Sequence, residues 1–137
     1  MNKLQIFTTG GTIDKVYFDA TSEFEVGEPT IEHILREAQV NFEFQVTGLM
    51  RKDSLEINEA DRQIIREAVA ACDCQHILIT HGTDTMAKTA EALRDIPGKT
   101  IVLTGALSPA RFRATDAVFN VGLAIGALHG AGHGAYL

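Results

Sequence analysis

The sequence predicts an α/β fold of three layers, in which helices cover both faces of a mostly parallel sheet. Short apolar runs alternate along the chain with longer amphipathic segments, and the connections between them are short. Such alternation is typical of parallel strands joined by right-handed helical crossovers. Residues 77–79 and 101–103 are apolar at every position, as strands buried on both faces require.

The first part of the chain predicts a strand, a helix and a second strand. The segment from Leu4 to Thr9 opens with an apolar run typical of a buried strand. Apolar residues from Thr30 to Ala38 recur on one helical face, with Thr30 as the candidate N-cap. Alternating apolar and polar residues predict a half-buried strand that begins at Phe42 and continues to Met50.

The middle of the chain predicts a helix, a strand and another helix. Apolar residues recur at four-residue steps from Asn58 to Cys72, and Asn58 is suited to cap that helix. His76 to Thr80 forms a short buried strand. The segment from Thr85 to Leu93 is helical, and Pro97-Gly98 closes it.

The last part predicts a strand at Thr100–Thr104, a helix from Thr115 to Leu128 and the opening of a further strand at 134–137. The helix carries apolar residues throughout, and Thr115 or Asp116 starts it. These elements favour a flavodoxin-like sheet, with a Rossmann-like strand order as the alternative.

The segment from Asp14 to Glu28 fits neither pattern. It is long, mixed in character and lies directly after the first glycine-rich loop. Long irregular segments in compact domains are usually lids, binding loops or disordered. A lid over a site and a floppy surface loop remain equally open.

Length and composition narrow the function. At 137 residues the chain is expected to form a single domain, 1–137, and its net charge of −6 argues against a nucleic-acid surface. No apolar run approaches the length of a membrane span. The N-terminus enters a strand at once and lacks the pattern of a signal peptide, so we expect a cytoplasmic protein.

The sequence predicts no metal site and no cofactor. Cys72 and Cys74 form a Cys-x-Cys pair without further cysteines or clustered histidines, which is a poor zinc signature. His129 and His133 are four residues apart, but glycines between them make a rigid helical face implausible, and a helix end followed by a turn is expected instead.

Two threonine-bearing loops contain the candidate catalytic residues of the chain. Each follows a predicted buried strand, and the carboxyl ends of parallel strands meet at the edge where ligands bind. In the first loop, Gly10 and Gly11 permit close backbone approach to a ligand and leave the Thr12 hydroxyl beside it. That hydroxyl is a weak nucleophile until a base removes its proton. Taken alone, this loop is better explained as a turn with a capping threonine.

The second loop adds the hydroxyl of Thr83 and the carboxylate of Asp84. Asp84 lies at the start of the predicted helix, where aspartate is a common N-cap residue. A carboxylate there is also suited to hold a substrate ammonium group. The two roles are compatible.

Four segments in the same order resemble motifs of the bacterial-type L-asparaginases. They are Thr9-Gly10-Gly11-Thr12-Ile13, Asp53-Ser54, His81-Gly82-Thr83-Asp84-Thr85-Met86 and Thr104-Gly105-Ala106-Leu107-Ser108-Pro109. The resemblance covers only the N-terminal domain of that family; the family's C-terminal domain is absent, and we suspect a shortened form of a longer enzyme.

The resemblance implies an amidohydrolase that converts L-asparagine to L-aspartate and ammonia through a threonine acyl-enzyme. Thr12 would be the nucleophile, and Thr83 would position water or share proton transfer. Asp84 and Ser54, in the Asp53-Ser54 segment, would bind the α-amino and α-carboxylate groups of the substrate.

The resemblance places further groups around that substrate. Backbone groups of Gly11, Gly82 and Ala106 would line the pocket. Backbone N–H groups near Thr12 and Thr83 would form an oxyanion hole, for which the glycine content is suited.

The chain departs from the family pattern at two residues. The family pairs Thr83 and Asp84 with a lysine that lies beyond the end of this sequence. Lys88 is one helical turn after Asp84, where an i,i+4 salt bridge is expected. The family also places a tyrosine in its lid, and Tyr17 is the tyrosine of that region, although Phe24 occupies the matching Val-Gly context.

The partners implied are a small-molecule substrate and further copies of the chain. The family builds its site beside a subunit boundary, so we expect a homodimer or higher homo-oligomer, with Arg111 and Arg113 at an interface. The competing hypothesis is a catalytically impaired domain of the same fold that binds an amino acid without turnover. A structural or partner-binding protein comes third.

Overall fold

A computed structural model describes residues 1–20 and 22–137. In chain order the elements are β1 (Lys3–Gly10), β2 (Lys15–Phe18), β3 (Glu23–Val26), α1 (Ile31–Glu37), β4 (Glu43–Lys52), α2 (Glu59–Ala71), β5 (His76–Thr80), α3 (Met86–Leu93), β6 (Thr100–Thr104), α4 (Ala117–Gly130) and β7 (Gly134–Tyr136).

The main sheet has the strand order β4-β1-β5-β6-β7, and every neighbouring pair is parallel. Counted along the chain within this sheet, the order is 2-1-3-4-5, which is the flavodoxin-like order. The flavodoxin-like prediction is therefore confirmed over the Rossmann-like alternative.

The register of the strands brings their carboxyl ends to one edge. Thr8 of β1 pairs with Thr80 of β5, and Thr80 pairs with Thr104 of β6. The segments that follow these three threonines contain the motif loops of the sequence. Those loops consequently leave the sheet side by side, which the sequence alone predicted for two of them.

Two apolar clusters lie on the two faces of the sheet, as a three-layer fold requires. Buried residues of α1 and α4 pack on one face around Ile6 and Leu78, and buried residues of α2 and α3 pack on the other face around Ile77 and Ile79. Truncation of one fully buried residue such as Leu78 typically costs about 2–5 kcal/mol of stability.

Helix ends agree with the sequence at α2 and differ at α1. Asn58 accepts a hydrogen bond from the Asp61 N–H at 3.0 Å, and the Asp61 carboxylate accepts one from the Asn58 N–H at 3.0 Å, which confirms Asn58 as the cap. Thr30 occupies the N-cap position of α1 without a side-chain cap bond. Its hydroxyl donates to the Asp14 carboxylate at 2.8 Å instead.

The segment after the first motif loop forms an antiparallel hairpin of β2 and β3, which we call the flap. Tyr17 and Phe24 face each other across it, with ring centroids 5.3 Å apart. Thr21, which belongs to the predicted lid segment, lies outside the described residues. The hairpin favours the lid over a floppy loop.

Within residues 1–20 and 22–137, no helix combines the length and the apolar character needed to cross a membrane.

Candidate functional site

The two threonine loops touch at the glycines that precede each threonine. A Cβ atom on Gly11 would lie 2.5 Å from the backbone nitrogen of Gly82. Gly11 also has φ 85°, a conformation that side-chain-bearing residues rarely adopt. Both properties require glycine at this position. Because Thr12 and Thr83 follow the contact directly, the loops that carry the two hydroxyls converge on one place.

The Asp53-Ser54 segment joins the same contact from the end of β4. A Cβ atom on Gly82 would lie 2.5 Å from Ser54 Cβ. The Ser54 hydroxyl accepts a hydrogen bond from the Asp84 N–H at 3.2 Å and donates to the Asp84 carboxylate at 3.5 Å. The Thr85 hydroxyl donates to the Ser54 carbonyl at 2.8 Å. Ser54, 1% exposed, is thereby fixed against the second threonine loop.

The fourth motif closes the site from the end of β6. The His81 N–H donates to the Thr104 carbonyl at 2.9 Å, and a Cβ atom on Gly105 would collide with the His81 carbonyl. Ala106 is 2% exposed and packs in the same apolar cluster as Ile13, the residue after Thr12. The loop after β6 therefore packs against both threonine loops.

Hydrogen bonds to Asp116 set the path of the rest of this loop. The Asp116 carboxylate accepts from the N–H groups of Leu107 and Ser108 at 2.9 and 3.0 Å. These donors lower the pKa of Asp116 below its ordinary value, because each favours the ionised form. Asp116 is the N-cap residue of α4 by position, yet its side chain makes no cap hydrogen bond and accepts instead from this loop and from the Asn120 amide of α4.

The flap meets the Asp53-Ser54 segment through an ion pair. Lys15 Nζ lies 3.1 Å from Asp53 Oδ2. A cleft of about 340 Å³ runs between the flap and the end of β4, and Phe24, Arg51 and Glu56 contribute to its walls. The charges of this cleft are mixed, and Thr12, Thr83 and Asp84 are not among the residues that line it.

The base of the flap is clamped by the loop after β6. Arg111 donates to the Asp14 carbonyl at 3.0 Å and to the Glu28 carbonyl at 2.9 Å, so one guanidinium holds both ends of the hairpin. Phe112 packs on Phe24 with centroids 5.7 Å apart. Arg111 thus forms hydrogen bonds within the chain, and its place at a subunit interface stays a prediction.

A buried carboxylate lies beneath the flap. Asp14 is 2% exposed and accepts hydrogen bonds from the Thr30 N–H at 2.9 Å and the Thr30 hydroxyl at 2.8 Å. Burial raises the pKa of Asp14 because the low-dielectric interior disfavours the ionised form, and the hydrogen bonds from Thr30 oppose that effect.

The side chain of His81 belongs to a buried polar network behind the second threonine loop. Its Nδ1 lies 2.7 Å from the Gly82 carbonyl, and its Nε2 lies 2.8 Å from the Thr89 hydroxyl of α3. The Arg62 Nε of α2 donates to the same hydroxyl at 3.3 Å. Burial lowers the pKa of His81, and the nearby charge of Arg62 lowers it further.

The sequence-predicted site residues differ in exposure. Thr12 is half-buried and begins a short 3-10 turn, whereas Thr83 and Asp84 are exposed. Tyr17 is 48% exposed and lies in the flap, where its contact is Phe24. In the part of the chain that the structure describes, no three His, Cys, Asp or Glu side chains are grouped as a metal site would require.

A family model described as Asparaginase, N-terminal, matches residues 3–136. The chain belongs to the asparaginase family. The match extends over β1 to β7 and includes all the loops described above.

Similar proteins include asparaginases from an archaeon and a bacterium. The chain is 33% identical over 135 residues to an L-asparaginase of Thermococcus kodakarensis, with 90% of this chain and 39% of that protein covered. It is 26% identical over 131 residues to a glutaminase-asparaginase of Acinetobacter glutaminasificans, with 88% of this chain and 40% of that protein covered.

A solved asparaginase structure has the same fold. The structure of the thermostable L-asparaginase from Thermococcus kodakarensis gives a TM-score of 0.76 at 30% identity, and covers 92% of this chain and 40% of that one. The chain therefore spans about 40% of the length of the relatives it matches.

Two expectations about Asp84 in this asparaginase domain need correction. The N-cap position of α3 is Thr85, so Asp84 precedes the cap and does not supply it. The expected salt bridge with Lys88 is not among the ion pairs of residues 1–20 and 22–137, and the Asp84 carboxylate contacts Ser54 instead. The first change occurs because α3 begins one residue later than predicted. Asp84 is thus left available for a ligand.

Sequence reasoning missed the polar network of His81 and the Arg111 clamp. A signal for the network existed, because Arg62 lies on the same helical face as Ile65 and Val69, and Thr89 lies between buried Met86 and Leu93. A polar residue on the buried face of an amphipathic helix indicates an internal partner. The Arg111 clamp had no such signal, since its acceptors are backbone carbonyls far away in the chain.

Proposed function

We propose that this chain carries the catalytic groups of an amidohydrolase that converts L-asparagine to L-aspartate and ammonia. The observation that supports it most is the contact of Gly11 with Gly82, which brings the loops of Thr12 and Thr83 to one place. The family supports the amide chemistry, and the chain spans about 40% of the length of its relatives.

In this proposal Thr12 is the nucleophile. Its hydroxyl oxygen attacks the side-chain amide carbon of asparagine, the C–N bond breaks, and the nitrogen leaves as ammonia after it takes up the hydroxyl proton. Water then attacks the resulting ester, which releases aspartate and restores the Thr12 hydroxyl. Thr83, across the pocket, positions that water or shares the proton transfers.

The remaining groups bind and orient the substrate. Asp84 holds the α-ammonium group, because its carboxylate is exposed and contacts Ser54 without an ion pair in the described part of the chain. Ser54, held in place by the N–H of Asp84, binds the α-carboxylate. Gly11, Gly82 and Ala106 line the pocket with backbone groups. Tyr17 reaches the site when the flap closes on it.

The oxyanion hole consists of backbone N–H groups near Thr12 and Thr83. Such fixed donors stabilise the negative charge that develops on the carbonyl oxygen, and removal of one donor typically costs about 10²–10³-fold in turnover. No cofactor or metal enters this chemistry.

The second candidate is a domain that binds an amino acid without turnover. It is favoured by one observation: within residues 1–20 and 22–137 the Asp84 carboxylate contacts Ser54 and forms no ion pair, so no cation paired with Asp84 is in place to assist proton transfer. The same pocket would then hold aspartate or asparagine and release no ammonia.

Ammonia release from L-asparagine by the purified full chain separates the two candidates. Hydrolysis is expected for the parent, and Thr12→Ala is expected to abolish it while aspartate affinity, measured by calorimetry, stays within about twofold because only the attacking oxygen is lost. Thr12→Ser, which keeps the attacking hydroxyl, is the matched control and is expected to retain turnover. Wild-type turnover in Thr12→Ala would reassign the nucleophile to Thr83, and saturable aspartate binding without ammonia in the parent would establish the binding domain.

A further inference from the structure

We propose that His81 is a positioning residue for the oxyanion hole: through the Gly82 carbonyl it aims the Thr83 N–H at the reacting atoms. The effect of His81 on catalysis depends on the proposed amidohydrolase function. Its structural content depends only on the hydrogen bonds around His81 and can be tested without substrate.

The hydrogen bonds fix the protonation pattern of the His81 ring. A carbonyl oxygen can only accept, so the Nδ1 atom 2.7 Å from the Gly82 carbonyl carries the hydrogen. In a neutral imidazole the other nitrogen is then an acceptor. The Thr89 hydroxyl at 2.8 Å from Nε2 must therefore donate to it.

Thr89 in turn has its own orientation fixed from α2. The Arg62 Nε donates to the Thr89 oxygen at 3.3 Å, and a guanidinium cannot act as an acceptor. The hydroxyl proton of Thr89 is thus directed away from Arg62 and toward His81. Hydrogen bonds run in one direction, from Arg62 through Thr89 and His81 to the Gly82 carbonyl.

The network is rigid because it is buried and anchored on two helices. His81 and Thr89 are both 0% exposed, and Arg62 is 5% exposed. The outer end of the Arg62 guanidinium is held by Glu59 through an Nη1–Oε1 contact of 2.7 Å. Satisfied buried polar networks of this kind specify one arrangement, since each alternative would leave a buried donor or acceptor unpaired.

The effect on Thr83 follows from the planarity of the peptide bond. The Gly82 carbonyl and the Thr83 N–H belong to one trans peptide group and point in opposite directions. When His81 holds the carbonyl toward the interior, the Thr83 N–H must point away from it. Gly82 is also in contact with Gly11 and Ser54, so this peptide group lies where the three loops meet.

The test uses Thr89, because replacement of His81 itself would leave a cavity in the core. Thr89→Val removes the hydroxyl and keeps the shape, whereas Thr89→Ser keeps the hydroxyl and is the matched control. Two NMR measurements need no substrate: the ¹⁵N shifts of the His81 ring, which report which nitrogen carries the hydrogen, and the position of the Thr83 amide signal.

For the parent and Thr89→Ser we expect hydrogen on Nδ1 and the same Thr83 amide signal. Thr89→Val is expected to shift the Thr83 signal and to lower kcat on the order of tenfold with aspartate affinity unchanged, less than the ~10²–10³-fold loss for a deleted donor. A His81 ring protonated on Nε2 in the parent, or a Thr89→Val chain that matches Thr89→Ser in both signal and kcat, would overturn the inference.

Failure of the proposed function would give a different set of results from failure of the role proposed for His81. If the parent releases no ammonia, the amidohydrolase proposal falls, while the Nδ1 proton and the response of the Thr83 signal still decide whether His81 orients this peptide group.

Discussion

A Cβ atom on Gly11 would lie 2.5 Å from the nitrogen of Gly82, so a hydrogen is all that fits between the two threonine loops. The contact is between backbone and backbone, and neither side can yield by rotating a side chain. Convergence of the loops therefore depends on this one missing methyl group.

Gly11→Ala is expected to separate the loops and abolish ammonia release. The matched control is Gly98→Ala: Gly98 also has a positive φ, 71°, but a Cβ atom there would meet nothing within 4 Å. The control carries the cost of a positive φ without the steric contact, about 1–2 kcal/mol, and is expected to keep its activity. Urea denaturation and an ammonia assay compare them; an active Gly11→Ala chain would contradict the close contact.

Asp84→Asn is expected to weaken aspartate binding with little change in stability. A charge-assisted hydrogen bond to the α-ammonium group is worth about 1.5–3 kcal/mol, which corresponds to roughly 10–150-fold in affinity. The variant leaves α3 intact, because the N-cap position is Thr85. Calorimetric titration with aspartate measures the loss.

The reciprocal control for Asp84 is Asn58→Ala. It removes the cap of α2, so it should lower stability by about 1 kcal/mol and leave aspartate affinity unchanged. Equal affinity in the parent and Asp84→Asn chains would remove Asp84 from the binding site.

The strands and helices of the sheet were predictable because each has a clear local period. The limits of β5 and β6 agree with the sequence prediction residue for residue, since both runs are apolar and end at a threonine. The flavodoxin-like order followed from the same alternation. The sequence predicted that the loops lie at the same edge of the sheet, but not which of their residues touch. Sequence spacing shows where each strand ends, and it does not show where the side chains of the following loop lie.

The flap and the helix starts were less predictable because distant residues decide them. The Thr30 hydroxyl donates a hydrogen bond to Asp14, sixteen positions earlier, and does not cap its own helix. Asp116 likewise serves the loop after β6. A local pattern of polar residues before a helix cannot distinguish a cap from a partner of another segment. The strands that contain Tyr17 and Phe24 were not predicted for a different reason. Both side chains are exposed on the hairpin, so the segment lacks the apolar pattern of a buried strand.

Arg111→Lys is expected to loosen the flap. A lysine retains the charge but cannot donate to the Asp14 and Glu28 carbonyls at once in the fixed geometry of a guanidinium. Amide hydrogen exchange in β2 and β3 should accelerate on the order of tenfold, equivalent to about 1.4 kcal/mol of local stability. Arg113→Lys, an exposed neighbour, is the control, and equal exchange in both variants would show that the clamp contributes nothing.

Asp14→Asn tests the buried carboxylate through the pH dependence of stability. The amide oxygen still accepts both hydrogen bonds from Thr30, while the charge disappears. Because the folded-state pKa of Asp14 is raised above its ordinary value of 3.8, the native protein binds the proton more tightly than the unfolded chain does. This contribution is fully present below pH 3.8 and is lost as the pH rises through the folded-state pKa.

The expected result is that Asp14→Asn gains stability relative to the parent as the pH rises from about 4 to 7. Urea denaturation at both values measures the difference. Asp14→Ala leaves the Thr30 N–H without its acceptor and should be less stable than Asp14→Asn by about 1–3 kcal/mol at either pH. A loss of stability of Asp14→Asn relative to the parent over the same pH range would contradict the raised pKa.

The exposed face of α4 is expected to form the contact between subunits of a homo-oligomer. The helix contains no Asp, Glu, Lys or Arg, and its outer face carries Phe119 at 75% and Leu123 at 64% exposure. Leu107 in the preceding loop is 79% exposed. Contiguous exposed apolar surface of this kind is typical of protein interfaces.

A groove of about 300 Å³ along α4 links this surface to the site, because both Leu123 and Thr83 line it. A second copy packed on α4 would therefore exclude water beside Thr83.

Phe119→Glu places a charge in the centre of the apolar face and is expected to lower the mass measured by light scattering at micromolar concentration. It is also expected to reduce ammonia release in parallel. Gln63→Glu adds the same charge on the exposed face of α2 and is expected to change neither measurement. A parent chain that is a monomer under these conditions would remove the proposed interface, and a Phe119→Glu chain of unchanged mass would move it to another face.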